Sequence, residues 1–163
     1  MIRGFMLTMI VSAVMVACAT DPGRGSTPAP RVFTAEQARA GKIAYESSCG
    51  LCHQFNMQGR TGEPGELPDV RTLPENMIKT IDQSGGQVPP LVGPKFMARW
   101  GAKSTKEYVA RVANAMGAFP PRNVGSDTSV QLTAYFLKMN GAKPGKTPLT
   151  TQTGVTLNSA TGQ

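Results

Sequence analysis

Three stretches of the chain repeat their apolar residues at helical spacing. In EQARAGKIAYESSC, residues 36–49, Ala40, Ile43, Ala44 and Ser47 share one face. Thr34 and Gln37 stand just ahead of it at capping-box spacing, which marks a helix start. In KEYVARVANAM, residues 106–116, Tyr108, Val109, Val112, Ala113 and Met116 keep the same period behind a second capping box, Ser104 with Glu107. In SVQLTAYFLKMN, residues 129–140, Val130, Ala134, Phe136 and Leu137 form a stripe, with Ser126 or Asp127 as the expected cap and Asn140-Gly141 as the stop. PENMIKTI, residues 74–81, predicts a shorter helix. No stretch sustains the alternation of a half-buried strand, so the predicted class is all-α with long connections rich in glycine and proline.

The ends follow neither period. Arg3 precedes an apolar run from Phe5 to Val16, followed by Ala17 and Cys18, which is the anatomy of a signal peptide. The run is shorter than the roughly 20 residues of a membrane span. The order Met15-Val16-Ala17-Cys18 resembles a bacterial lipoprotein signal, in which residues 1–17 are removed and Cys18 is lipidated; the alternative is ordinary cleavage nearby, with Cys18 discarded. Lipidation leaves no stray thiol in an oxidising compartment. Residues 18–31 are rich in Pro, Gly, Ser and Thr and read as a disordered tether with a reach of roughly 20 Å. Residues 142–163 have similar composition and read as a disordered tail. Residues 32–141 remain as one domain, about 110 residues and of ordinary size.

Three helices joined by irregular connections make a poor core for such a domain, so something is expected to fill its middle. The stretch CGLCH, residues 49–53, holds two of the three cysteines and the only histidine. A structural zinc site needs about four ligands, and only three are offered here within five residues. A thioredoxin-like dithiol wants a βαβ context, which the pattern lacks. Cys-x-x-Cys-His is the attachment pattern of c-type haem: the two thiols each add to a vinyl group, and the adjacent histidine reaches the iron.

With GKIAYESSCGLCHQ, PPLVGPKFMARW, and AMGAFPPRNVGS leading into LTAYFLKMNG, residues 34 to 141 resemble a class I c-type cytochrome. Within that group the chain is similar to the haem-c domains and subunits of quinoprotein alcohol dehydrogenases. The resemblance implies a single-haem cytochrome c fold, three to five helices around one covalent haem c. It implies that Cys49 and Cys52 hold the haem, that His53 is the proximal iron ligand, and that the Pro89 carbonyl accepts a hydrogen bond from the histidine's other ring nitrogen. Pro89 as a plain turn residue is the alternative. Gly41 and Tyr45, with Ala134 and Tyr135, match the crossing of the terminal helices. Trp100 matches a residue that lines the haem and can bond a propionate, although a lone tryptophan also serves as simple core.

With no second histidine, a methionine, a lysine or nothing completes the iron. Met116 stands where the family places its ligand, with Met77 and then Met97 as alternatives. The chain departs from the usual Met-Pro at that place, its prolines coming at Pro120 and Pro121. It departs again in the long span from His53 to Pro89, which carries Glu63, Glu66, Asp69, Glu75 and Asp82, five of the ten acidic residues. That span reads as a lid, a docking surface or a solvated excursion.

A haem held by histidine and methionine passes single electrons and has no open position for substrate. The expected function is electron transfer between exported or membrane redox proteins, and not catalysis, since the lone histidine is used as a ligand. Between Lys95 and Lys146 nine basic residues face two acidic ones, Glu107 and Asp127, within a net charge of +7. This suits redox partners with acidic docking surfaces, such as a quinoprotein dehydrogenase or a terminal oxidase. Export argues against nucleic acid as a partner. The expected place is the periplasmic side of a bacterial membrane, held by the lipid anchor, with Ala19 after Cys18 leaning towards the outer membrane. Two alternatives remain: a five-coordinate haem protein acting as gas sensor or peroxidase-like enzyme, and a fixed cytochrome subunit of a dehydrogenase.

Overall fold

Helix α1, Ala35–Ser48, starts at the first capping box. Thr34 Oγ1 accepts from the Gln37 amide at 3.2 Å, and Gln37 Oε1 accepts from the Thr34 amide at 3.1 Å. In the computed structural model, which describes residues 28–67, 69–114 and 124–163, this helix crosses α6, Ser126–Met139, in the most extensive helix pair among the described residues. Gly41 makes the crossing possible, because a Cβ there would lie 1.9 Å from the Gln131 carbonyl oxygen. The buried face of α1 is therefore Ala38, Gly41 and Tyr45. The stripe expected through Ala40, Ile43, Ala44 and Ser47 is displaced, and Ile43 is 60% exposed. A hydrophobicity count misses a contact face centred on a glycine. Helix α6 begins at Ser126, with Gly125 as its cap and no side-chain bond, so neither Ser126 nor Asp127 caps it as expected.

Helix α5, Thr105–Ala113, opens on the second capping box, with both reciprocal bonds formed between Ser104 and Glu107. It ends at Ala113, and its expected continuation to Met116 lies outside the described residues. Helix α4, Gly93–Trp100, was not foreseen, although Pro94 sits in its first turn, where a missing amide costs nothing. Tyr108 of α5 ties these elements together: its ring lies 5.4 Å from Phe96, 5.1 Å from Trp100 and 6.1 Å from Phe136. Phe136 in turn meets Tyr45 edge-on at 5.9 Å, so a chain of aromatic contacts runs from α1 through α6 to α5 and α4.

The remaining elements are short: α2, Gly50–His53; β1, Arg60–Thr61; a 3₁₀ turn, Val70–Thr72; α3, Glu75–Gln83; β2, Gln87–Val88; and α7, Leu157–Thr161. The described residues thus hold seven α-helices, rather than three to five, and one two-stranded antiparallel ladder; the class is all-α. Among them no helix is long and apolar enough to cross a membrane. The expected signal sequence 1–17 and Cys18 fall outside the described residues, as does most of the expected tether.

Residues 142–163 are not a disordered tail. They form a strap over α1 and the start of α5, burying Leu149, Leu157 and Ala160. Gln37 grips Leu149 twice, donating to its carbonyl at 2.8 Å and accepting from its amide at 2.9 Å. The Thr105 amide donates to the Val155 carbonyl at 2.7 Å, and the Leu157 amide to the Lys103 carbonyl at 3.0 Å. Thr156 Oγ1 then caps α7 by accepting from the Ser159 amide. The strap is ordered chiefly by backbone bonds to distant segments, which composition does not report.

Two substitutions test this frame by thermal and denaturant unfolding. Gly41→Ala must push α1 off α6 and costs about 3 kcal/mol. Gln37→Ala removes half of a capping box and both strap bonds, a loss of about 2 kcal/mol. Gln37→Glu keeps the acceptors but cannot donate to Leu149, and falls between Gln37→Ala and wild type.

Candidate functional site

The CGLCH segment is a continuation of α1 through a bend. Cys49 keeps helical sign at φ −119° and ψ −32°, and its amide still bonds the Tyr45 carbonyl at 2.8 Å. The amides of Cys52 and His53 fold back onto the Cys49 carbonyl at 3.2 and 2.9 Å. This single turn brings both thiols and the imidazole to the wall of one cavity. The thiols are free rather than joined as a disulfide.

The last carbonyls of a helix have no partners within it, and here the chain supplies them. Gln54 turns the chain with a positive φ of 63°, and its carbonyl accepts from the Tyr45 hydroxyl. The Gly59 amide reaches the His53 carbonyl at 3.1 Å. The buried Arg60 side chain donates to the Cys52 carbonyl at 3.2 Å and the Leu51 carbonyl at 3.1 Å.

The ladder of β1 and β2, with Arg60 opposite Val88, carries the chain to Pro89. Gly59 lies against it with φ 72°, and a Cβ there would sit 2.2 Å from the Val88 carbonyl oxygen. The Pro89 carbonyl lies 2.9 Å from His53 Nδ1, so the proline is more than a turn residue. A carbonyl can only accept, which puts the proton on Nδ1 and leaves the Nε2 lone pair available to a metal.

The cavity has a volume of about 520 Å³. Apolar side chains from several elements line it, among them Leu91, Phe96, Trp100, Val112, Leu132 and Phe136. Helix α3 supplies Met77, Thr80, Ile81 and Ser84, so the long span after His53 forms one wall. Lys95, Arg99 and Arg111 also line the cavity, and no Asp or Glu is among the described lining residues. Arg99 packs over the Trp100 ring at 5.6 Å.

Of the methionines weighed as ligands, Met77 lines the cavity, whereas Met97 is buried in the core away from its lining. Met116 lies outside the described residues. Among the described residues no three His, Cys, Asp or Glu side chains converge to hold a bare metal ion.

Burial, reinforced by Cys52, pushes the Cys49 thiol up to about 11. The Cys52 thiol is raised by burial and drawn back by the Arg60 charge. His53 reaches the cavity surface but is otherwise enclosed, and that desolvation lowers its pKa against the opposing pull of the Pro89 bond.

Sequence reading missed Arg60 and the bond from the Tyr45 hydroxyl. An isolated arginine in a glycine-rich span carries no periodic signal, and its partners are main-chain atoms. Tyr108, Lys95, Arg99 and Arg111 were visible as residues, but not as lining of one cavity.

The depressed histidine has a pH signature. The folded state resists a proton that the unfolded chain binds below its own pKa of about 6.5. The stability this represents is full above that value and is lost as pH falls through the lower folded value. His53 is the only histidine, and Glu66, Asp69 and Glu107 are held below the ordinary carboxylate range. Melting temperatures measured from pH 7 to 5 therefore fall in the wild type and stay flatter in His53→Gln.

Compared with family models, curated proteins and solved structures, the chain gives no match, and what the site does has to be argued from its own geometry.

Proposed function

We propose that the protein is a monohaem c-type cytochrome that carries single electrons, with the cytochrome c fold built around one covalent haem c. The observation that carries this reading is the His53 imidazole, fixed by the Pro89 carbonyl with Nε2 free, beside two unbonded thiols on the wall of one apolar cavity. The donor set fits the group. Cys49 and Cys52 supply the thioether sulfurs, His53 the proximal nitrogen, and the lining with three cations suits a flat apolar ring that bears two carboxylates.

When bound, the haem supplies a one-electron couple between ferric and ferrous iron. The chain's own residues do the rest. The Pro89 carbonyl holds the His53 ring and raises its basicity. Tyr45, Gly59 and Arg60 hold the carbonyls of the segment that bears the ligands, so little has to move when charge changes. Trp100, Phe96 and Tyr108 exclude water from one side, and α3 covers another. Among the described residues the exposed Lys95, Arg99 and Arg111 at the cavity have no ion pair, which favours an encounter with an acidic surface of a redox partner such as a quinoprotein dehydrogenase or terminal oxidase. Met116 remains the proposed sixth ligand. Export by the signal sequence, with lipidation at Cys18, puts the domain on the periplasmic side of a bacterial membrane; it acts there as a carrier and not as an enzyme.

The test is the visible spectrum of protein matured in a host with covalent haem attachment. Denatured wild type keeps its haem, and Cys49→Ala with Cys52→Ala loses it. Native reduced protein is low-spin and ignores carbon monoxide, while Met116→Ala becomes high-spin and binds it. Wild type that binds carbon monoxide readily would move the protein to gas sensing or peroxidase-like chemistry, and a low-spin Met116→Ala would move the sixth ligand to Met77.

A further inference from the structure

Arg60 is the one cation with a buried side chain among the described residues, at 4% exposure. Its position is set on both sides. The β1–β2 ladder fixes its backbone opposite Val88, and its guanidinium spans the carbonyls of Leu51 and Cys52 through Nη2 and Nε. Those two carbonyls belong to the residues between Cys49 and His53, and the amide of the preceding residue, Gly59, holds the His53 carbonyl. A fork of fixed geometry thus closes the C-terminal end of α2, where partial negative charge collects.

We infer that Arg60 is a positioning residue for the haem-bearing segment and that its buried charge raises the reduction potential of the bound haem. The inference rests on the haem reading above. The oxidised centre carries one positive charge more than the reduced one. A fixed cation beside the ligand segment, shielded from water, disfavours the oxidised state, and Coulomb attenuation is weak across protein. Glu66 and Asp69 feel the Arg60 charge, but both carboxylates reach solvent, so water screens them more than it screens the guanidinium. Arg71 supplies the contrast in burial within the same span: it carries the same charge at 84% side-chain exposure.

The experiment is a redox titration of the haem-loaded protein, followed by its visible bands, for wild type, Arg60→Gln, Arg60→Lys and Arg71→Gln. Arg60→Gln shifts the midpoint to lower potential and melts earlier. Arg60→Lys keeps the charge but not the fork, so it holds the wild-type midpoint while still losing stability. Arg71→Gln moves neither. Equal midpoints for wild type and Arg60→Gln would overturn the electrostatic role, as would an equal shift in Arg71→Gln. If Arg60→Gln fails to mature, Arg60→Lys decides: a midpoint well below wild type would overturn the inference. Wild type that takes up no covalent haem would instead sink the reading beneath it, an outcome distinct from an unchanged potential.

Discussion

The site depends on one hydrogen bond between residues 36 positions apart, His53 Nδ1 to the Pro89 carbonyl. A histidine at the end of a four-residue helix would otherwise turn freely about its own bonds. To bring a carbonyl under that ring, the chain must leave the helix, travel out and return along a defined line. The positive φ at Gln54, the close approach at Gly59 and the two-residue ladder accomplish this return. Helix α3 lies on the outward loop and comes to rest against the cavity, with its few element contacts made to the 3₁₀ turn and β2. The long excursion is therefore the route by which the histidine acquires its orienting partner.

How much of this was legible in the sequence varied with the kind of force at work. The capping boxes at Thr34 and Ser104 are local, and both helix starts stand where they were read. CGLCH is local too, and Cys49, Cys52 and His53 meet at one cavity. The α1 face was misread from apolar periodicity because its centre is a glycine chosen for the absence of a side chain. The family resemblance pointed to Gly41 and Tyr45, the residues that do make the crossing. The strap was misread because its order comes from partners more than 45 residues away, as in the bond from the Thr105 hydroxyl to the Thr153 carbonyl at a separation of 48. Arg60 left no trace for a different reason: its partners at Leu51 and Cys52 are near in sequence but are main-chain carbonyls, which carry no residue-type signal.

A core assembled around a cavity of this size gives up apolar contacts that a solid core would make. The aromatic chain from Tyr45 to Trp100 and the crossing of α1 with α6 supply a frame on one side, while the wall formed by α3 packs, among the described elements, chiefly on the 3₁₀ turn and β2. A ligand that binds only the folded state stabilises it, and a covalent one does so without dissociating. With the proposed haem as that ligand, loading and folding of the 54–88 span would be linked.

The strap has a topological consequence. It returns the chain to the first described residues, so that a Cβ on Gly162 would touch that of Ala29 at 3.6 Å, while Gly145 lies against Arg31. From there the described fold is nearly a closed ring whose break falls at this pole. A short peptide could join the two ends at little entropic cost, and the break could be moved to the open turn at Gly65. Such a permuted chain would keep the contacts of the cavity while changing the order in which its walls are synthesised, with the CGLCH segment emerging near its end.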